Sequence, residues 1–321
     1  MLLIVVFAAA GCRPGTDRAP GGPPLRLSLA VSPVSNSALI AVAEEKGYFK
    51  DAGLEVSLAL HPSGRDSLEA VCRGEAQVAT VACVAFAAKA LEDPTIRILA
   101  SLGATLGSQI VARRDRNIRV PSDLRGKRIG YSSNTVSDYF LYAFLMAENI
   151  PPKEVTEVDL PPGRQADAVV GGEVDAVSAF EHNAFDAKRR MEGNAVSWNS
   201  QNNLAYQWLL VAREDVLRTP EPLKRLLKAL IRAEEFTRDN EEEAKRIVVR
   251  KWGFDPAFLE ESWQRTRLNV SMSQSVVTNL QNFTLWRMRG KERAGTPPDV
   301  LNYLHTGILD AVAPGSVSIF R

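Results

Sequence analysis

The chain has 321 residues, 45% apolar and 24% charged, and its 39 Lys and Arg nearly cancel its 38 Asp and Glu to leave a formal charge of +1. That length suits one large or two medium globular domains, and the composition excludes a disordered chain and one that spans membranes throughout. Without a basic excess, nucleic acid has no support as a partner.

The first twelve residues, MLLIVVFAAAGC, form an apolar run too short for a lasting membrane helix, which needs about 20 residues. The run ends in small residues, as a signal-peptide core does before cleavage. Ala-Ala-Gly-Cys at 9–12 resembles a bacterial lipobox, in which Cys12 is lipidated and becomes the first residue of the mature chain. Ala9 stands where Leu is usual and no Lys or Arg precedes the run, so a plain secretory leader with an incidental Cys stays open. Residues 13–24, RPGTDRAPGGPP, have neither helical nor strand period and read as a tether.

Beyond the tether, strands and helices alternate. LRLSLAVS (25–32) is a strand by its alternation, and Ser35 or Asn36 offers a cap for the helix that Gly47 closes. LEVSLAL (54–60) is a strand and RDSLEAVCRGE a helix. GEAQVATVAC (74–83) gives a strand at 76–81 and a helix through Lys89, and IRILASL follows as a strand. The same rhythm then restarts. SQIVARR (108–114) is a strand, VPSDLRGKRIGYS a short capped turn and a strand, and TVSDYFLYAFLMAENI an apolar helix. EVTEVDL is a strand and RQADAVVGGE a helix. GEVDAVSAFE (172–181) then repeats the earlier Gly-Glu phrase with another strand and helix. AVSWNS and YQWLLVARE are the last strands, and the chain from Glu214 reads as almost wholly helical.

This order is that of an α/β protein with largely parallel sheets, and the repeated phrase suggests two matching lobes. Lobe 1 is expected over 25–112 and 208–321, with a helical C-terminal region, and lobe 2 over 113–207. The chain would cross near 110–114 and return near 206–211, a two-stranded hinge.

Three stretches, EEKGYFKDAGLEVSL, DLRGKRIGYSSNTVSDYFL and GGEVDAVSAFEHNA, resemble in order and separation the substrate-binding proteins of the nitrate/sulfonate/taurine ABC transporters. The likeness covers roughly 25–215. It implies the type II periplasmic-binding fold, closing on a small solute and delivering it to an ABC permease with its ATPase, as an extracytoplasmic monomer without a cofactor. The same family includes pyrimidine-precursor binders and a few enzymes on these lobes, and a sensory module is a third possibility. Phe180-Glu181-His182 replaces the family's Trp-Glu-Pro.

Ligands of open α/β sheets settle beyond the carboxyl ends of the strands, where helix N-termini present free amides. Five turns qualify: 32–37, 62–67, 80–85, 132–137 and 178–183. Their candidate contacts are Asn36, Arg65, Thr80, Cys83, Ser132, Ser133, Asn134, Thr135 and Glu181, with Trp208 at the return crossing. Each has a plainer reading: N-caps for Asn36 and the 132–135 group, a solvated arginine, a helix-start carboxylate at Glu181, a hinge-packing Trp208. A cleft-facing Glu181 would argue for a ligand with an amine or ring N–H. Phe180 and Tyr131 are candidate apolar walls or core, and His182 reads as helix surface.

No catalytic or metal residue is expected. The three histidines, His61, His182 and His305, lack metal-ligand spacing, and no nucleophile elbow or phosphate loop occurs. Cys83 opens a helix, where a thiol pKa can fall, but has no base beside it in sequence. Cys72 and Cys83 read as buried thiols, although an exported protein permits a disulfide.

Overall fold

A computed structural model describes residues 23–289 and 296–320. The expected leader, Cys12 and most of the tether lie outside these residues. The first part of the body runs β1 (Leu25–Val31), α1 (Ala38–Glu45), α2 (Tyr48–Asp51), β2 (Leu54–Leu60), α3 (Gly64–Cys72), β3 (Val78–Ala82), α4 (Cys83–Ala90) and β4 (Ile96–Thr105). A middle part follows with β5 (Gln109–Arg113), β6 (Arg128–Tyr131), α5 (Val136–Ala147), β7 (Thr156–Asp159), α6 (Gln165–Val170), β8 (Ala176–Ala179), α7 (Glu181–Met191) and β9 (Ala195–Asn199). The chain returns through β10 (Tyr206–Arg213) to α8 (Pro220–Asp239), α9 (Glu241–Trp252), α10 (Pro256–Trp263), β11 (Thr266–Ser273), α11 (Gln274–Arg289), α12 (Thr306–Val312) and β12 (Val317–Ser318).

Two sheets result. The larger has the order β12-β11-β4-β10-β3-β1-β2 and the smaller β7-β6-β8-β5-β9. In the larger, β1 pairs in parallel with β2 and β3, whereas β10 is antiparallel to both β3 and β4. In the smaller, β6 is parallel to β7 and β8, and β5 is antiparallel to β8 and β9. Every residue of β3 is buried, as expected of a central strand with helices on both faces. The two copies of the Gly-Glu phrase become equivalent units: β3 leads into α4 in one sheet, and β8 into α7 in the other.

The crossings fall earlier than the sequence suggested. Gln109–Arg113 pairs with β8 and β9, so residues 109–112 belong to the second sheet, and the chain crosses between Thr105 and Gln109 and again between Asn199 and Tyr206. An apolar strand at a lobe boundary carries no mark of the sheet it joins. Gln201 stitches the crossings together. Its Oε1 accepts from the Ser108 amide at 2.7 Å, and its Nε2 donates to the carbonyls of Thr105 (3.0 Å) and Leu204 (2.9 Å). The C-terminal region also departs from the expected near-continuous helix, because β11 lies along β4 and carries β12 at the sheet edge.

Lobe 1 has one large apolar core, and lobe 2 has a smaller core on each side of its sheet. The first turns of α5 break this division. Val136 and Phe140 come from lobe 2, yet they are buried in the core of lobe 1, with Phe140 wholly so. Phe140 packs against Tyr206 at 6.1 Å between ring centroids, and its neighbour Tyr139 meets Phe283 and Trp286 of α11 edge-on.

Candidate ligand-binding site

All five strand-to-helix turns converge on one cavity between the lobes. Counted out to its open mouth, solvent included, the space between its atoms is about 590 Å³. Lobe 1 supplies Ser32 and Val34 after β1, Pro62 to Arg65 after β2, and Ala82 and Ala85 at the start of α4. Lobe 2 supplies Thr135 and Val136 after β6, and Phe180 to His182 after β8. Tyr206 and Trp208 of β10 and Phe258 of α10 complete the wall.

The lobe 2 turns are set by one buried amide. Gln165 Nε2 donates to the hydroxyls of Ser132 and Ser137, while its Oε1 accepts from the Phe180 amide and from Asn183 Nδ2. Four bonds from a single wholly buried side chain lock the start of α5 to the start of α7. Satisfied buried networks of this kind fix geometry, because any slippage would orphan several polar groups at once.

Glu181 opens α7, yet its carboxylate reaches across the cleft to lobe 1. Oε1 accepts from Thr105 Oγ1 at 2.5 Å and Oε2 from Ser262 Oγ at 2.5 Å. Ser262 Oγ in turn accepts from Ser35 Oγ at 2.6 Å. Burial raises the Glu181 pKa above the ordinary 4.5, opposed by the two hydroxyl bonds and Arg265. Gly107, in the first crossing, makes this placement possible, since a Cβ there would fall onto the carboxylate. The side chain divides the main cavity from a smaller one of about 210 Å³ that Gly107, Glu261 and Arg265 help to line.

Arg65 joins the lobes from the opposite wall. Its Nη1 donates to the Ser133 carbonyl at 2.6 Å, and Asp66 lies 3.9 Å away, at the edge of an ion pair. Trp208 is almost fully buried, and its indole N–H donates to Ser37 Oγ at 2.7 Å. The ring presses on the start of α3, where Gly64 leaves room: a Cβ would lie 2.8 Å from Trp208 Cη2 and 3.0 Å from Val81 Cα. His182 was expected on the helix surface. It lines the cavity, stacked on Phe180 with ring centroids 6.2 Å apart and planes 26° from parallel. Burial lowers its pKa and keeps the imidazole neutral.

Of the residues singled out from sequence, Arg65, Thr135, Glu181 and Trp208 line the cavity. The others lie behind its wall. Thr80 is fully buried and its hydroxyl accepts from the Ser32 amide, bracing the first turn from below. Ser132 spends its hydroxyl on the Leu160 carbonyl and Gln165. Ser133 offers its carbonyl to Arg65 and its amide to Asp159. Asn134 takes a left-handed conformation, with its amide on Asp138. Asn36 is 1% exposed, with Oδ1 unpartnered among the described residues. Cys83 is buried against Gln207 at 3.8 Å, and desolvation pushes its thiol up to about 12. Cys72, expected to be buried, is only half-buried; both cysteines are free. Tyr131 packs into a lobe 2 core and is not a wall.

Sequence reasoning passed over Tyr206, Phe258, Thr105 and Ser262. Phe258 and Ser262 sit on α10, far along the chain from the turns they meet, and no local pattern marks them. Tyr206 opens a strand already legible as YQWLLVARE, and its place beside Trp208 on β10 was the available hint.

A family model described as NMT1/THI5 like matches residues 34–244, well over half of the chain. The chain belongs to the NMT1/THI5-like family. A relative from Bacillus subtilis (strain 168), named for binding aliphatic sulfonates, is 24% identical to this NMT1/THI5-like chain over 301 residues, covering 91% of the chain and 89% of the relative. The alkanesulfonate-binding protein SsuA of Xanthomonas axonopodis pv. citri, solved with MOPS bound, superposes with a TM-score of 0.75 at 14% identity, covering 89% of this chain and 100% of that one. The ligand-binding component of an ABC-type import system from Staphylococcus aureus does so with 0.75 at 13%, covering 90% and 99%. At such identities the agreement establishes architecture: this NMT1/THI5-like protein has the two-lobed type II periplasmic-binding fold.

Proposed function

We propose that the protein is the extracytoplasmic, lipid-anchored substrate-binding component of an ABC importer. It captures one small solute between its lobes and releases it to a permease. The observation that carries this reading is the main cavity, walled by both lobes at the carboxyl ends of the strands. A ligand that touches both lobes favours the shut state over the open one, and that difference in affinity is what the ligand adds to closure. Two family features support the role: the NMT1/THI5-like match and the likeness to solute-binding proteins. The apolar leader ending at Cys12 supports an anchor outside the cytoplasm.

Chemistry on the bound solute is the rival reading, and the local environment speaks against it. A thiol held up near 12, beside an amide instead of a base, is a poor nucleophile. The neutral His182 stacks on a ring, and the nearest carboxylate, Glu181, already accepts two hydroxyls.

The test is a thermal-shift screen of sulfonates, nitrate, aminopyrimidines and aromatic acids. A ligand at about 100 times its dissociation constant adds about 2.7 kcal/mol to the folded state, a readily measured rise in melting temperature. No shift with any class would defeat the binding role. Cys12→Ser should release the protein from the membrane fraction, and retention there would remove the anchor.

A further inference from the structure

The geometry points to an aromatic monoanion without an amino group, an arenesulfonate or arylcarboxylate, as the guest of the interlobe cavity. This rests on the clamp reading above and narrows it. The walls are rings from separate elements: Phe180 at the start of α7, Tyr206 and Trp208 on β10, and Phe258 on α10. Phe180 and His182 stack on each other with planes 26° from parallel, and ring faces on the cavity wall suit a planar guest better than a flexible chain. Burial keeps His182 uncharged, so it adds surface without adding a cation.

Arg65 is then the cation of the cavity wall. A guanidinium has five N–H donors in a planar fork suited to paired oxygens. One of Arg65's is spent on the Ser133 carbonyl. Two of the wall's hydroxyl protons are committed elsewhere, Ser63's to Asp66 and Thr135's to the Ser132 carbonyl. An acidic head group therefore finds its strongest donors on Arg65, beside the first amides of α3.

The same residues discriminate against other guests. An ammonium needs a carboxylate acceptor, and Glu181 already gives one lone pair of each oxygen to Thr105 and Ser262, so a guest would have to share it. A bare inorganic anion such as nitrate would exchange a full hydration shell for one guanidinium and a ring of hydrocarbon, an exchange that buried charges do not tolerate. A neutral aminopyrimidine would bring Arg65 no charge to pair with beyond that of Asp66, 3.9 Å away.

Titration calorimetry on the purified protein with benzenesulfonate, benzoate, hexanesulfonate, taurine, nitrate and 4-amino-2-methylpyrimidine tests the inference. One of the two ring anions should bind about tenfold tighter than hexanesulfonate, the increment expected of ring stacking, and tighter still than the remaining probes. Arg65→Met should weaken that ligand by about a hundredfold, as the loss of a charge-assisted fork implies. Arg65→Lys should recover part of this, which guards against misfolding of the first variant. Phe180→Ala should bring the ring anion down to the affinity of hexanesulfonate. Tightest binding of taurine, nitrate or the aminopyrimidine would overturn the class while leaving the clamp intact, and so would equal affinity for hexanesulfonate. Silence from all six would take the clamp reading down as well.

Discussion

Gly64→Ala sets two physical effects against each other, and the structure decides the sign. Gly64 is the first residue of α3, and Ala is the better helix former by about 0.5–1 kcal/mol. On local propensity alone the substitution should stabilise. The added methyl, however, would sit 2.8 Å from Trp208 Cη2, 3.0 Å from Val81 Cα and 3.3 Å from the Ala82 amide nitrogen. Two of those three atoms are backbone of central strand β3 and do not yield. The third belongs to a ring tied by its N–H to Ser37. Overpacking at such a site costs about 1–3 kcal/mol, so a net loss of about 1–2 kcal/mol is expected. For a folding unit of this size that corresponds to a fall in melting temperature of roughly 2–8 °C. The ring's free direction is toward the cavity, so ligand affinity should fall along with stability. Thermal melts and calorimetry on the single variant read both effects. Repeating them with Trp208→Phe, which removes Cη2, should recover part of the loss, because residues in contact are coupled. A melting temperature equal to or above that of the parent protein would refute the reasoning.

Three further outcomes follow from the site. Glu181 has a raised pKa in the folded protein, so the folded state holds that proton more tightly than the unfolded chain. Its share of stability is present on the acid side and is lost as pH rises from about the ordinary Glu value through the folded one. The parent should therefore lose melting temperature relative to Glu181→Gln across that window, and a difference independent of pH would clear Glu181 of the effect. Cys83 should resist alkylation at pH 8 until the protein unfolds, since burial holds its thiol near 12; this is measured by mass spectrometry on the Cys12→Ser protein, and prompt native labelling would contradict it. Gln201→Ala leaves the Ser108 amide and the Thr105 and Leu204 carbonyls without their partner. A buried orphaned group costs about 1–3 kcal/mol, so denaturant melts should register at least that loss, and an unchanged midpoint would mean that the crossings are held by other means.

Much of this architecture is written locally. The alternation of LEVSLAL and RDSLEAVC appears as β2 and α3, and the doubled Gly-Glu phrase announces β3–α4 and β8–α7, the matching units on either side of the cavity. The turns were legible for the same reason, since helix starts carry their own residue chemistry. Which side chain of a turn faces the cavity was not legible. Hydroxyls that look like ligand donors in SSNTVS instead satisfy backbone groups, those of Thr135 and Ser137 within their own turn and that of Ser132 at the Leu160 carbonyl, because a buried turn must first satisfy its own polar atoms. Thr80 and Cys83 point behind the wall for a different reason: they lie on or at the end of a central strand buried on both faces. The crossings were misplaced because SQIVARR is equally apolar for either sheet. Phe258 and Ser262 depend on how a helix that begins 65 residues after the end of α7 folds back, and no short window of sequence holds that information.

On the proposed clamp reading, Phe140 and Val136 tie the working cycle to the packing of the chain. Both ride on lobe 2 but are buried among the residues of lobe 1, so swinging the lobes far apart pulls them into water. Exposing one such phenylalanine forfeits about 1.5–3 kcal/mol, enough by itself to hold the wide-open population to a minority of molecules in the absence of any cargo. On that reading the jaws rest shut, loading depends on brief gaping, and unloading calls for an outside agent to prise α5 from its socket.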